Sequence, residues 1–175
     1  MRTMQSVHFV LALLLSAAAL SLPGRAAAQA PAQPQRAWLG AGLAGAGTTS
    51  QDVEGHGGLM VQLVYQGRGH HVALRGLALG DVFGSSVSGL GELGLLYGRT
   101  IGTRAGHAAV AAGLAAVGFE TCPDDDDSCF VIGVPVVAEL AVSLEFVGLG
   151  LQLFGNLNPK APYGGAALFA QLGWL

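Results

Sequence analysis

Charged residues are scarce in this chain of 175 residues: only 11% are Asp, Glu, Lys or Arg, against about 25% in average proteins. The eight Lys and Arg are spread thinly and the formal net charge is −3, so the chain lacks the basic face that nucleic-acid binding needs. With 51% hydrophobic residues it also lacks the polarity of a disordered protein. The composition therefore excludes nucleic-acid binding, disorder and an ordinary soluble domain.

Long uninterrupted hydrophobic runs are also missing beyond the N-terminal segment. The longest mostly apolar stretch, residues 130–155, is interrupted by Pro135, Glu139, Glu145 and Gln152. A membrane-spanning helix would show 18 or more apolar residues in succession. The 28 glycines weaken helices further, by up to about 1 kcal/mol each. Helical membrane spans are therefore disfavoured.

Residues 1–30 have the pattern of a secretory signal peptide. Arg2 provides the positive start, residues 9–20 form the apolar core, and an A-x-A pattern ends at Ala30. The apolar core is shorter than the span of about 20 residues that a membrane anchor needs. No cysteine near the cleavage site would carry a lipid anchor. The sequence therefore predicts an exported protein.

The rest of the chain alternates between apolar and mixed positions with a period of two, which is typical of β-strands. In residues 59–66, for example, one face holds Leu59, Val61, Leu63 and Tyr65, and the other holds Gln62 and Gln66. Seven such segments are residues 59–66, 71–79, 89–98, 107–118, 136–146, 147–157 and 164–174; residues 38–47 form an eighth, too rich in Gly and Ala for its faces to be assigned. Every charge in mid-segment falls on the mixed face. That is the pattern of a transmembrane barrel with an apolar outside and a polar inside.

The connections between these segments alternate in length. The longer or more polar ones are residues 48–57, 80–88, 120–130 and 158–162, and the shorter ones are residues 67–69, 99–106 and 146–148. Outer-membrane barrels have short periplasmic turns and longer external loops. A soluble sandwich or lipocalin-like barrel would need polar residues on the outer face, where these segments are aliphatic. We therefore predict an all-β fold, an eight-stranded antiparallel up-and-down transmembrane β-barrel.

The chain resembles the small eight-stranded outer-membrane barrels of the OmpA/OmpX type. The resemblance rests on the signal peptide, the eight alternating segments and the final segment, residues 166–175, in which Leu175 follows the aromatic Trp174 that such proteins typically place last. It implies a monomeric or weakly associated barrel in a Gram-negative outer membrane. Its partners would be outer-membrane lipid, lipopolysaccharide and the outer-membrane insertion machinery. Such barrels include structural, adhesive and lipid-modifying proteins, so no single function follows.

The interior of an eight-stranded barrel is just wide enough to be filled by side chains. We expect Arg75 and Glu92 to lie opposite each other on the third and fourth strands, with Arg75 as the hub of a polar network and Glu139 as its next partner. The predicted network comprises His71, Arg75, Glu92, His107, Glu139, Glu145 and Gln152, and Gln62, Ser143 and Gln171 also face inward. This set is either a packed polar core or a gated proton or ion path.

Catalysis by a barrel deacylase would need Ser, His and an acid close together on the outer surface. His70, His71 and the serines of residues 85–88 are the available groups, but their spacing does not assemble them. No catalytic residue is assigned.

Cys122 and Cys129 are the only cysteines, and they flank an acidic run. In an oxidising compartment such an isolated pair predicts a disulfide. The run consists of Asp124, Asp125, Asp126 and Asp127. It is interpreted as a solvated acidic loop, with a divalent cation as the alternative. No metal or cofactor is assigned.

Aromatic residues near strand ends, Tyr65, Tyr97, Phe146, Tyr163 and Trp174, are expected to form interfacial girdles. The predicted organisation is a signal peptide (1–30), a short leader (31–36) and a barrel (37–175). The predicted function is structural or surface-interaction work without catalysis. Two alternatives remain: a lipid A-modifying deacylase or acyltransferase, and a narrow channel for ions or small solutes.

Overall fold

The structure is a computed structural model that describes residues 35–48, 55–80, 89–103, 105–120 and 129–174. Eight β-strands contain most of these residues: β1 (Arg36–Thr48), β2 (Gly55–Gly67), β3 (His70–Gly80), β4 (Leu90–Thr103), β5 (Gly106–Phe119), β6 (Phe130–Leu144), β7 (Val147–Leu157) and β8 (Tyr163–Trp174). Within this part of the chain, no helix is long and apolar enough to cross a membrane. The predicted signal peptide, Cys122 and the four consecutive aspartates lie outside the described residues.

Each strand pairs antiparallel with the next one along the chain, and β8 pairs with β1, so that the sheet closes into a barrel. The predicted all-β, eight-stranded antiparallel up-and-down architecture is confirmed. Closure matters chemically because it leaves no strand edge, and therefore no row of unpaired backbone groups along the sheet.

The strands are staggered as they go around the barrel. The register runs from Arg36 through Gln66, His71, Gly98, Ala111, Val137, Phe154 and Gly165 to Ala46. This path returns to β1 ten residues beyond its start. A closed sheet with such a displacement tilts its strands by roughly 40° from the barrel axis and encloses an interior that side chains can fill.

The connections sort by length to the two ends of the barrel. Only two residues separate consecutive strands at one end, here called the short-turn end: residues 68–69, 104–105 and 145–146. Residues 49–54, 81–89, 120–129 and 158–162 connect the strands at the other, the long-connection end. Arg68 and Gly69 have φ values of 52° and 79°, and a type I′ hairpin turn requires two such positive values.

The middle turn corrects the sequence analysis, which treated residues 99–106 as a connection. Strand β4 continues to Thr103 and β5 begins at Gly106, so that most of this segment is paired strand. Thr and Ile at positions 100, 101 and 103 favour extended backbone. All three connections at this end are therefore equally short.

The two faces of the barrel differ as the alternation predicts. Most leucines and valines point outward, as on β2, where Leu59, Val61 and Leu63 are more than half exposed. Inward positions hold the polar residues together with Trp38, Met60 and Phe169. The structure also assigns the faces of β1, which the sequence left open: Arg36, Trp38 and Gly40 face inward.

Two positions depart from their predicted faces. Glu145, predicted to belong to the interior network, is exposed in the β6–β7 turn with a φ of 57°. Tyr163, predicted to belong to a girdle, is 4% exposed and points into the barrel. Tyr65, Tyr97 and Phe146 do lie on the outside at the short-turn end. The side chain of Trp174 is outside the described part.

Small inward residues make room for large ones across the register. A Cβ atom at Gly150 would lie 2.2 Å from Cζ of Phe169, whereas at Gly91 on the outer face it would meet nothing within 4 Å. Gly150→Ala should therefore lower the free energy of unfolding by about 1–3 kcal/mol through overpacking. Gly91→Ala, the matched control, should change it by less than about 0.5 kcal/mol. Urea unfolding in lipid vesicles, followed by tryptophan fluorescence, measures both; equal stabilities would contradict this account of the interior.

Candidate functional site in the barrel interior

A continuous set of polar side chains fills the middle of the barrel. All strands except β1 contribute to it: Gln62 from β2, Arg75 from β3, Glu92 from β4, His107 from β5, Glu139 from β6, Gln152 and Asn156 from β7, and Tyr163 from β8. Each is between 1% and 6% exposed. We call these eight residues the interior network. Because they are removed from water, each polar atom needs a partner inside the barrel.

Arg75 and Glu92 form the ion pair at the centre of the network. The Arg75 Nε–H donates to Oε1 of Glu92 at 3.1 Å, and Arg75 Nη2 contacts the same oxygen. The sequence predicts that these residues lie directly opposite each other, but Arg75 lies opposite Gly94, and Glu92 lies opposite Leu77. The pair is therefore diagonal across β3 and β4, which the long arginine side chain spans.

The second oxygen of Glu92 is also satisfied. The Asn156 Nδ2–H donates to Glu92 Oε2 at 2.8 Å, and the Tyr163 hydroxyl donates to the same atom. Asn158 then donates from Nδ2 to Asn156 Oδ1 at 3.3 Å. Glu92 therefore connects the arginine to side chains near the long-connection end.

Gln152 links Arg75 to the second carboxylate. Its Oε1 accepts a hydrogen bond from Arg75 Nη1 at 3.1 Å, and its Nε2 donates to Glu139 Oε2 at 3.0 Å and to Gln62 Oε1 at 3.1 Å. The Arg75 guanidinium carbon also lies 5.3 Å from the centre of the Phe154 ring. The expected partnership of Arg75 with Glu139 is thus an indirect one that runs through Gln152.

Glu139 carries the network toward the short-turn end. Gln62 Nε2 donates to its Oε2 at 3.0 Å, and His107 Nε2 lies 2.8 Å from its Oε1. An ionised carboxylate only accepts hydrogen bonds, so that His107 carries a proton on Nε2. The indole of Trp38 packs against the imidazole, with ring centroids 4.9 Å apart.

Several of these bonds join opposite walls of the barrel. In a ring of eight strands, β3 faces β7, β2 faces β6 and β4 faces β8. Arg75–Gln152, Gln62–Glu139 and Glu92–Tyr163 each connect such a facing pair. Three cross-links of this kind fill the interior with hydrogen-bonded side chains and hold the walls at fixed separations.

His71, predicted to join the network, belongs to a separate pair. Its Nδ1 lies 3.0 Å from Gln66 Nε2, and its ring lies 6.4 Å from that of Trp38. Gln171 donates to the Ser143 hydroxyl oxygen at 3.2 Å in another small contact. These contacts lie nearer to the short-turn end than the interior network does.

Two network members were missing from the predicted set. Asn156 lies on the same strand face as Gln152, so the alternation of β7 already indicated its direction. Tyr163 has the same parity as Gln171 on β8, and this parity predicts its inward direction, whereas its place at the strand end does not. Parity would therefore have identified both.

The groups considered for catalysis do not come together in the described residues. His71 is inside the barrel with Gln66, while Ser85, Ser86 and Ser88 lie outside the described residues. Across the described ranges, no three His, Cys, Asp or Glu side chains form a group that could hold a metal ion. Cys129 lies directly before β6, and its predicted disulfide with Cys122 stays a prediction.

Solved structures with the same architecture define the fold class. Neisserial surface protein A matches with a TM-score of 0.59 and 14% identity over 83% of this chain and 100% of that one. Ail, the attachment invasion locus protein of Yersinia pestis, matches with a TM-score of 0.59 and 11% identity over 81% of this chain and 99% of that one. It has also been solved in complex with the heparin analogue sucrose octasulfate.

The N-terminal β-barrel domain of Pseudomonas aeruginosa OprF matches with a TM-score of 0.56 and 16% identity over 81% of this chain and 100% of that domain. No protein-family model and no curated protein matches the sequence. The predicted resemblance to small eight-stranded outer-membrane barrels is confirmed at the level of the fold.

The ion pair should dominate the stability of the interior. Glu92→Gln keeps the shape of the side chain but leaves the Arg75 charge unpaired, and should lower the free energy of unfolding by about 3–5 kcal/mol. The double variant Arg75→Met/Glu92→Gln should recover part of this loss, because it removes both charges. Glu145→Gln, in the exposed turn, is the matched control and should be neutral. Urea unfolding in vesicles checks all three; a neutral Glu92→Gln would show that the pair is dispensable.

Proposed function

We propose that this protein is an outer-membrane β-barrel with a structural or surface-interaction role, a closed interior and no catalytic activity. The observation that carries the proposal is the interior network. All four carboxylate oxygens of Glu92 and Glu139 accept hydrogen bonds from neighbouring side chains, and the network crosses between opposite walls. An interior cross-linked in this way supports a role in stabilising the barrel and argues against a solute path through the network.

The outer surface supports a membrane location. The outward rows are aliphatic on all eight strands, and the inward rows contain the buried charges. This is the inverse of a soluble barrel and matches the apolar band of outer-membrane barrels. The two-residue turns would then face the periplasm and the longer connections the outside.

Heat modifiability tests the location and the fold together. Protein extracted from outer-membrane fractions should migrate differently on gels before and after boiling, because a closed barrel resists detergent unfolding. Its circular dichroism in detergent should be that of β-structure. Recovery from the inner membrane or the soluble periplasm would contradict the proposal.

Conductance separates the proposed role from the channel alternative. The protein reconstituted in planar bilayers should show no stepwise conductance, because side chains fill the interior of so narrow a barrel. Purified monomer of confirmed heat modifiability is the sample, and a porin is the positive control. Reproducible unitary steps in the wild type, reduced by substitution of Gln152, would favour the channel.

The charges at the long-connection end indicate which partners the surface would reject. The connections there contain eight acidic residues, Asp52, Glu54, Asp81, Glu120, Asp124, Asp125, Asp126 and Asp127, against one cation, Lys160. Like charges repel, so sulfated polyanions should not bind, in contrast to the Ail complex with sucrose octasulfate. Cells carrying the protein should not retain labelled heparin above the level of vector controls, while cells carrying Ail serve as the positive control. Specific retention would contradict this orientation or this surface charge.

A further inference from the structure

Three polar side chains stand out on the apolar outer face near the short-turn end. His70 on β3 lies opposite Arg99 on β4, and Tyr97 lies two residues from Arg99 on the same outward row. Tyr97 is 56% exposed. The His70 and Tyr97 rings lie 5.8 Å apart. We call these three residues the outer triad.

The hydrogen bonds within the outer triad fix which atoms can donate to a ligand. Arg99 Nη1 lies 3.4 Å from His70 Nε2, and a guanidinium can only donate, so that His70 Nε2 is the acceptor. His70 therefore carries its proton on Nδ1, which lies 2.6 Å from the Tyr97 hydroxyl oxygen. The Tyr97 hydroxyl accepts this bond, and its own proton points away from His70.

The outer triad therefore presents donors without a competing acceptor. Arg99 and Tyr97 are exposed on the outer face, so the other N–H groups of Arg99 and the O–H of Tyr97 are available to a ligand there. His70 contacts both side chains and positions them relative to each other. Such donors suit an oxygen-rich anion, since charge-assisted hydrogen bonds from arginine to phosphate are strong.

A shallow groove begins at the same arginine. It has a volume of about 60 Å³ and lies between β4 and β5, lined by Arg99, Ile101, Ala108 and Val110 on its outer side. Arg99 lies opposite Val110, and Ile101 lies opposite Ala108. The small side chain at position 108 leaves the depression between the two strands. Apart from Arg99 and Thr100, whose hydroxyl donates to the backbone carbonyl of Ala108, the lining is apolar, which suits a hydrocarbon chain attached to an anionic group.

The surrounding charge favours an anion at this end. Arg68 is exposed in the β2–β3 turn, and Arg104 follows Thr103 in the sequence at the next turn. The only acidic residue in these two-residue turns is Glu145. This end is therefore cationic, the opposite of the long-connection end, and it would face the phospholipid leaflet in the proposed orientation.

We propose that the outer triad and the groove bind one anionic phospholipid. Arg99 and Tyr97 donate hydrogen bonds to the headgroup phosphate, one acyl chain lies in the groove over Ala108 and Val110, and His70 is a positioning residue. This inference rests on the proposed outer-membrane role, because only a membrane barrel meets such a lipid continuously.

Native mass spectrometry of the purified full-length barrel, titrated with phosphatidylglycerol in detergent, tests the site. The wild type should bind one phosphatidylglycerol molecule more tightly than any further one. Arg99→Gln should weaken this binding about tenfold, as expected for the loss of a charged donor pair. Arg68→Gln removes the same charge at the same end but outside the site, and should bind like the wild type.

Two further variants separate the parts of the site. Ala108→Phe fills the groove and should weaken phosphatidylglycerol binding while leaving the outer triad intact. Tyr97→Phe removes one donor and should have a smaller effect than Arg99→Gln. Phosphatidylcholine should bind more weakly than phosphatidylglycerol, and inorganic phosphate should not displace the lipid, because it has no chain for the groove.

Three outcomes would overturn the inference. Arg99→Gln could bind like the wild type; Arg68→Gln could lose as much affinity, which would show a diffuse charge effect; or the spectra could show a dimer that Ala108→Phe abolishes, which would assign the groove to a second copy. Heat modifiability of every variant confirms that it is folded. Failure of the outer-membrane location would overturn the proposed function alone, since lipid binding in detergent is measured independently of it.

Discussion

Closure of the sheet into a narrow ring is the constraint on which the rest of the molecule depends. With eight strands and a displacement of ten residues around the ring, inward side chains from one wall reach those of the opposite wall. These side chains are buried, so that a charge among them needs a partner inside the barrel at a similar height along its axis. The pairing of Arg75 with Glu92 follows from this geometry.

The polar interior also specifies the arrangement of the strands. A slip of one residue would exchange the two faces of a strand. On β3 such a slip would carry Arg75 to the apolar outside and bring Leu74 inward. Hydrogen bonds between facing walls add a second level of specification, because they join residues as far apart in sequence as Gln62 and Gln152. Neighbour pairing and the displacement set the diameter of the barrel, and the interior network adds hydrogen bonds between its facing walls.

The sequence predicts the faces of the strands well because their side-chain period is two and the chain keeps it over most of each strand. It predicts the partners within the interior less well. The diagonal offset of Arg75 and Glu92 depends on how residues 81–89 connect β3 to β4, and a connection of that length fixes no register. The path from Arg75 to Glu139 through Gln152 depends on the displacement of the whole ring, which all eight strands determine together.

Misplaced residues have local causes. Glu145 has the same parity as the inward residues of β6, but β6 ends at Leu144. The positive φ of Glu145 places it in the turn, where its side chain faces solvent. Tyr163 was assigned by its position at a strand end, whereas its parity on β8 points it to Glu92. Both errors arise where strand and connection meet. At Glu145 the strand has already ended, so the period no longer decides the direction of the side chain, whereas at Tyr163 the period still holds.

A fold shared at 11–16% identity does not imply a shared function. Closure of the barrel constrains only the alternation of side chains along each strand, the displacement of the sheet and the pairing of interior charges. What distinguishes one such barrel from another must therefore lie at its ends and on its outer face. In this chain the ends carry opposite charge: acidic residues dominate the long connections, while exposed arginine lies at the short turns. In the proposed orientation the short turns lie on the side of the phospholipid leaflet, and the acidic connections lie on the opposite side of the membrane. The interior pairs Arg75–Glu92 and His107–Glu139 do not involve the residues of the connections. The ends can therefore differ between barrels without a change in the interior.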